Sequence, residues 1–459
     1  MSFSATFPQA IPYPRSGDGD DNSTAARGPG FQQGLPSTAG GRPLFILAPL
    51  AGVSDHPFRR LCQEWGADLT YVEMLSATAL LYQNKKTYDM AIRHEAEPIL
   101  GVQLTGKDPD DVARAVEILD RGPYDTIDLN MGCPVTKVVG AGCGSALLKN
   151  PETVAKMILL ARQATGKPLS VKIRLGWDRS HLSGPQQVGV EPPVPKKAPL
   201  GEILDAVEQG GAAWVTIHGR YRSDDYSVPV DLAALETAKK RLKIPVIGNG
   251  NLFSWRDVKR MGEESGVDGF MISRGALGQP WIFGELKASP EDVSSLILTL
   301  DDWESTVFRH LEYQKDAYGD THQSAVVMRK HLLWYTTGWP GARKLRDTMA
   351  KVSSLGEASR LISQLVAELR AQGCTHRSLG QDGGSSETSR KFVGRQQVEK
   401  AGDAVLQSRV NPEVVPMRLT TGPTEPMEFA SGKARWDPKG EMDRELDRGV
   451  GALGLSTPL

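Results

Sequence analysis

Cysteine is scarce in this chain: four in 459 residues, at Cys62, Cys133, Cys143 and Cys374, with no Cys-x-x-Cys pair and no spacing that suggests a disulfide framework. No His-x-x-x-His accompanies them, so a structural metal is not expected, and the thiols read as the reduced ones of a cytoplasmic protein. No run of ~18 apolar residues occurs, and no basic start precedes an apolar stretch at the N-terminus, so neither a membrane span nor a secretory signal is expected. Charge of one sign is lacking too. With a formal net charge of −1 and a pI near 6.7, the chain cannot coat a nucleic acid by bulk charge, and any polyanion must be met by a local patch. What is present, 39% hydrophobic and 24% charged residues, suffices for a sizeable core.

Residues 1–42 are rich in Gly, Pro, Ser and Asp, and 373–459 are similarly polar, with Gly-Gly-Ser-Ser at 383–386 and one short helical stretch near 395–407. Both segments read as a disordered arm and tail, because they offer too little burial to offset ordering entropy. Between them, apolar strand-like runs alternate with amphipathic stretches at Leu44–Ala48, Leu69–Val72, Ile99–Leu104, Thr126–Leu129, Leu169–Ile173, Trp214–Ile217, Pro245–Ile247 and Gly269–Ile272. Eight such repeats predict an α/β fold, a (β/α)8 TIM barrel over 43–290. A proline-rich insertion from Arg179 to Pro199 follows the fifth strand and is placed above the catalytic face. From 291 to 372 the strand signal stops. Helical periodicity over Trp303–Tyr318, Ala325–Tyr335, Gly341–Ala350 and Leu355–Ala371 predicts a small appended helical bundle.

The polar residues at the strand ends carry the chemistry. Asp128-Leu129-Asn130-Met131-Gly132-Cys133-Pro134 ends an apolar run and presents one thiol on a loop restrained by Gly and Pro. Pro49-Leu50-Ala51-Gly52 lets backbone approach a flat ring, Gln103 can pair with a ring edge, and Lys172 can face an anionic ring nitrogen. Gly248-Asn249-Gly250 and Ser273-Arg274-Gly275 follow strands seven and eight, where barrels hold phosphates. The set fits flavin mononucleotide (FMN).

In these motifs, with Val171-Lys172-Ile173-Arg174, Ile217-His218-Gly219-Arg220, Arg329-Lys330-His331 and Trp334-Tyr335 alongside, the chain resembles the tRNA-dihydrouridine synthases, the bacterial type most of all, over roughly residues 43–350. The resemblance implies reduction of the C5=C6 bond of a tRNA uridine by an FMN that NADPH has reduced. It places Pro49, Leu50, Ala51, Gln103, Lys172, His218, Asn249, Gly250, Asn251, Ser273 and Arg274 at the cofactor, and Cys133 as the proton donor to C5. The uridine must leave the RNA stack to reach a buried ring, and Asn130 is the expected partner of its edge. The tRNA grip is expected in the helical region, at Arg329, Lys330, Arg343, Lys344 and Arg346. No obligate protein partner is expected.

The chain departs from the family pattern at Asn251, where Asp is common, at Leu50 for Met, and at Ser273 for Gly or Ala. None of these removes a donor that FMN needs. Cys143 reads as a small packed thiol. The competing readings are an FMN barrel acting on a small pyrimidine or enone, which would not need the helical bundle, and a catalytically retired RNA-binding barrel, which would have lost Cys133 or the flavin contacts.

Overall fold

The structure, a computed structural model, describes residues 31–32, 35–36, 41–179, 199–288 and 298–375. Residues 180–198 of the insertion, 289–297 and everything after 375, with the expectations attached to them, lie outside the described residues. The barrel strands are β1 (Leu44–Leu47), β2 in two pieces (Thr70–Tyr71 and Leu75–Ser76), β3 (Leu100–Thr105), β4 (Thr126–Met131), β5 (Leu169–Arg174), β6 (Trp214–His218), β7 (Val246–Asn249) and β8 (Gly269–Ile272). Each pairs in parallel with its sequence neighbours, and β8 returns to β1. The ring's weak seam lies between β1 and β2, where one bridge, Ile46 with Leu69, joins the strands.

Strand ends run further than the apolar runs suggest. The ladder carries β4 through Asn130 and Met131, β6 through His218, and β7 through Gly248 and Asn249. Apolar runs mark only the packed part of a barrel strand. Its last pleats bear the polar residues of the mouth. In β2, Thr70 lies opposite Leu100 but Leu75 lies opposite Leu104, so one extra residue bulges the strand near Glu73.

The helices start where the sequence supplies caps. Asp108 accepts from the amides of Asp110 and Asp111 and opens the helix Pro109–Asp120, which buries Val112, Ala115, Val116 and Leu119. Each large apolar side chain so buried contributes about 1.5–3 kcal/mol.

The arm expected over 1–42 is not wholly without structure. Phe31–Gln32 pairs antiparallel with Leu35–Pro36, and Leu35 packs against the core cluster that holds Leu44, Ile46, Leu69, Trp214 and Ile247. Arg42 then forks onto Asp68 at 2.9 and 2.6 Å. Burial and a bidentate ion pair offset the ordering entropy that polar composition alone left unmatched.

After the barrel come the helices Leu300–Tyr318, His322–Tyr335, Ala342–Met349 and Leu355–Ala371. The first begins three residues before the expected start, at a capping box of Thr299 and Asp302. These helices share a second core, including Trp303, Met328, Leu332 and Ile362, which Leu61 and Trp281 join from the barrel. Arg309 and Tyr313 both reach Glu64, at 3.0 and 2.5 Å, so the helical region is seated on the helix His56–Glu64. Among the described residues, no helix is long and apolar enough to cross a membrane.

Candidate active site at the barrel mouth

Because strand side chains alternate, inward residues two apart stack into layers. In β4 these are Asp128 and Asn130; in β5, Ser170, Lys172 and Arg174; in β6, Thr216 and His218. Ser170, Asp128 and Asn130 join Gln103 of β3 in one polar chain up the barrel. Ser170 Oγ donates to Asp128 Oδ1 at 2.6 Å, and Gln103 Nε2 donates to Asp128 Oδ2 at 2.8 Å. Asn130 Nδ2 donates to Gln103 Oε1 at 2.8 Å. Burial raises the Asp128 carboxyl to about 6, against the two donors and Lys172. Asp128 carries no expected role from sequence, yet it fixes which way round the Gln103 amide sits.

The Cys133 loop hangs from the top of this chain. Asn130 Oδ1 accepts from the amides of Gly132 and Cys133 at 3.2 and 2.9 Å. The Cys133 carbonyl accepts from Ser145 Oγ at 2.9 Å and from its amide at 3.1 Å. Gly144 has φ +59°, and a Cβ there would fall 2.8 Å from the Cys133 carbonyl oxygen, so the loop needs glycine at that place. Arg174 Nε donates to Gly132 O at 3.1 Å. Burial raises the Cys133 thiol above its usual range, partly offset by the Val135 amide, Arg174 and Lys172. The group therefore stands as a thiol at neutral pH.

Across the mouth, Lys172 Nζ donates to Asn249 Oδ1 at 3.1 Å, and Asn249 Nδ2 donates to Met271 O at 2.6 Å and Ser273 Oγ at 3.1 Å. Arg274 Nη2 donates to Asn251 Oδ1 at 3.0 Å, and its guanidinium lies 4.0 Å over the Tyr226 ring. Asn251 takes φ +51°, a left-handed conformation that Asn tolerates better than most residues. Arg220 Nη1 is 3.2 Å from His218 Nε2, and since a guanidinium only donates, Nε2 accepts and Nδ1 carries the proton. Burial, then Arg174, Lys172, Arg220 and Arg274, hold His218 well below its usual range, so the ring is neutral. Burial lowers Lys172 to about 8 and, with Arg274 and Arg174 nearby, lowers Arg220 to about 10. Four cations around a neutral ring make an environment that an anionic ligand completes. Neither Arg174 nor Arg220 has an expected role from sequence, although inward alternation from Lys172 and a place beside His218 are the available signals.

Of the residues expected at the cofactor, Gln103, Lys172, His218, Asn249, Gly250, Asn251, Ser273 and Arg274 gather at this mouth. Pro49, Leu50 and Ala51 follow β1, with Pro49 and Leu50 half-buried and Ala51 exposed. Asn130 is committed differently from expectation: its carbonyl holds the thiol loop, leaving one N–H for any ligand. The five helical cations do not form one face. Arg329 donates to Val352 O at 3.0 and 2.8 Å, and Arg346 to Leu333 O at 3.2 Å and Thr337 Oγ1 at 3.1 Å. Lys330 turns to the barrel and donates to Gly52 O. Arg343 and Lys344 are exposed. Helix ends left carbonyls open, and the nearest guanidiniums took them.

The profile of the dihydrouridine synthase family matches residues 46–371, from within β1 through β8 and the four helices. The chain belongs to the dihydrouridine synthase family. It is 36% identical over 319 residues to the tRNA-dihydrouridine synthase B of Xanthomonas axonopodis pv. citri, covering 68% of this chain and 89% of that protein. It is 33% identical over 295 residues to that of Pasteurella multocida (64% and 83%), and 31% over 329 residues to that of Pseudomonas aeruginosa (72% and 94%). Morphinone reductase, a solved structure at 12% identity, covers 57% of this chain and 91% of its own with a TM-score of 0.39, and is too remote to add to this. As a dihydrouridine synthase of the bacterial type, the protein is a flavin-dependent oxidoreductase.

Proposed function

We propose that this dihydrouridine synthase reduces the C5=C6 bond of particular uridines in tRNA, with FMN as the flavin, NADPH as its reductant and Cys133 as the proton donor. The observation that carries the reading is the Cys133 thiol on a braced loop, beside Lys172 and Arg174 and in the same mouth as Asn249, Ser273 and Arg274. The donor set suits the cofactor: Arg274, Ser273 and the Gly250–Asn251 turn would hold a phosphate, while Lys172, Gln103 and His218 Nδ1 would serve the ring. FMN, once reduced, supplies the hydride that C6 receives.

The remaining work falls to the chain's own residues. Lys172 offers positive charge beside the ring and the reacting carbon. Asn130 keeps the Cys133 loop in place and has one N–H left for a uracil carbonyl. Cys133 gives its Sγ proton to C5, as general-acid catalysis requires, and regains it from solvent through the open mouth. The target uridine is flipped out of the RNA, since a stacked base cannot reach the barrel interior. Exposed Arg343 and Lys344 are the helical cations proposed to meet tRNA phosphates, and the enzyme acts in the cytoplasm, where its thiols stay reduced.

The test incubates the full chain, FMN, NADPH and unmodified tRNA, and measures dihydrouridine by position. Its appearance with tRNA is expected. Equal turnover of free uracil, uridine or a small enone would move the function to a small-molecule reductase.

A further inference from the structure

Gly52, directly after Pro49-Leu50-Ala51, has both backbone polar groups held by side chains from separate parts of the fold. Its N–H donates to Glu73 Oε2, on the bulge of β2, and its carbonyl accepts from Lys330 Nζ, 278 residues away on the helix His322–Tyr335. Gly52 has φ +68°, a conformation that side chains rarely adopt. Leu50 N–H donates to Ser54 Oγ at 2.9 Å, the amides of Val53 and Ser54 both reach Leu50 O at 2.9 Å, and Ser54 O accepts from Arg59 Nη1 on the adjoining helix at 2.8 Å. Gly52 is the point where side chains distant in sequence fix the loop.

The charges around it are matched to that end. Burial lowers the Lys330 ammonium, and the nearby Asp55 and Glu73 carboxyls favour its charged form against that. Arg59 is separately engaged with Glu97 at 2.7 and 3.0 Å, so it does not replace Lys330 at Gly52. Glu73 is 8% exposed, and removing the cation would leave its carboxylate buried beside Asp55 without Lys330. Nothing in this arrangement presents Lys330 to a phosphate on the surface.

Resting on the flavin reading above, we propose that Lys330 is a positioning residue for the flavin loop. Through Gly52, which Glu73 holds on its other side, it fixes Pro49, Leu50 and Ala51 in the conformation that takes the cofactor. The same bond ties that conformation to the seating of the helical region on the barrel.

The test uses the full chain stripped of flavin, comparing the parent with Lys330→Met and Lys330→Arg. Titration with FMN, read by flavin fluorescence, should show about tenfold or greater loss of affinity in Lys330→Met, the size of one charge-assisted hydrogen bond. Lys330→Arg, which keeps charge and donors, should recover most of it. Hydrogen exchange in the flavin-free protein should rise over residues 49–55 in Lys330→Met and stay unchanged in β5, which general destabilisation would not produce. Should Lys330→Met fail to fold, Lys330→Gln, a shorter uncharged donor, carries the same expectation. Unchanged FMN affinity together with unchanged exchange at 49–55 would overturn the proposal, as would a flattened salt dependence of tRNA binding with flavin affinity intact. A parent protein that took up no FMN would sink the flavin reading instead, while the exchange comparison, which needs no flavin, still judged the clamp.

Discussion

The barrel mouth and the helical region use the same cationic residue types to opposite ends. At the mouth, burial first and then Arg174, Lys172, Arg220 and Arg274 hold His218 neutral. In the helical region, Arg329 and Arg346 spend their guanidiniums on backbone carbonyls, Lys330 braces a barrel loop, and Arg343 and Lys344 remain exposed. A closed ring of strands has one inside, so alternation along the strand decides where a side chain points. A helix in a bundle has no such constraint: its faces are assigned by whichever neighbours it packs against, and open carbonyls at helix ends compete for any nearby donor.

The sharpest way to break the comparison is at Cys133. Cys133→Ala should lower uridine reduction by about 10²-fold or more while FMN still binds, because the proton source goes and every flavin ligand stays. Single-turnover assays on tRNA check it, and near-parent rates would return the thiol to a packing role. Next in size is Lys172. Lys172→Met should weaken FMN binding by about tenfold, the loss of one charged partner. With its ammonium lowered to about 8, Lys172 is charged below that pH and neutral above it. The parent apoprotein's FMN affinity should therefore fall as pH rises through about 8, and the variant's should not. Equilibrium titrations at pH 7 and 9 measure both, and a parallel pH response in the two proteins would count against the assignment.

Smaller effects separate the helical cations. Arg343→Gln with Lys344→Gln should raise the tRNA dissociation constant and lower the slope of log K against log salt by about 0.7–0.9 for each phosphate no longer neutralised. Arg329→Gln should leave that slope alone and instead destabilise folding by about 1 kcal/mol, the worth of its bonds to the Val352 carbonyl. Binding isotherms at several salt concentrations, with thermal melts of the same proteins, distinguish the two; an Arg329 variant that flattened the slope would return Arg329 to the tRNA grip expected from sequence.

The same contrast explains what is legible in the sequence. Eight apolar runs and their polar ends are local features, so the barrel and the gathering of Gln103, Lys172, His218, Asn249 and Arg274 can be read from spacing. Asp128 escapes such a reading because it sits inside an apolar run and acts only through Gln103 and Ser170, a pairing that appears once three strands are side by side. Arg174 and Arg220 need the same assembly. Lys330 misleads for a different reason: its partner, Gly52, is 278 residues distant, and only the docking of the two regions brings them together. The pairing of Phe31–Gln32 with Leu35–Pro36 is hidden because its order rests on Leu35 meeting the barrel rather than on its own composition.

The central claim, that this barrel mouth passes reducing equivalents to a uridine held in tRNA, is tested most directly by anaerobic single turnover. The FMN-loaded protein is reduced by NADPH, excess reductant is removed, and unmodified tRNA is added while flavin absorbance near ~450 nm is followed, the flavin being the redox carrier. Rapid reoxidation is expected with tRNA, with one dihydrouridine formed for each flavin oxidised, and neither with free uridine at the same concentration. Flavin that stays reduced in the presence of tRNA, or reoxidises equally with free uridine, would contradict it.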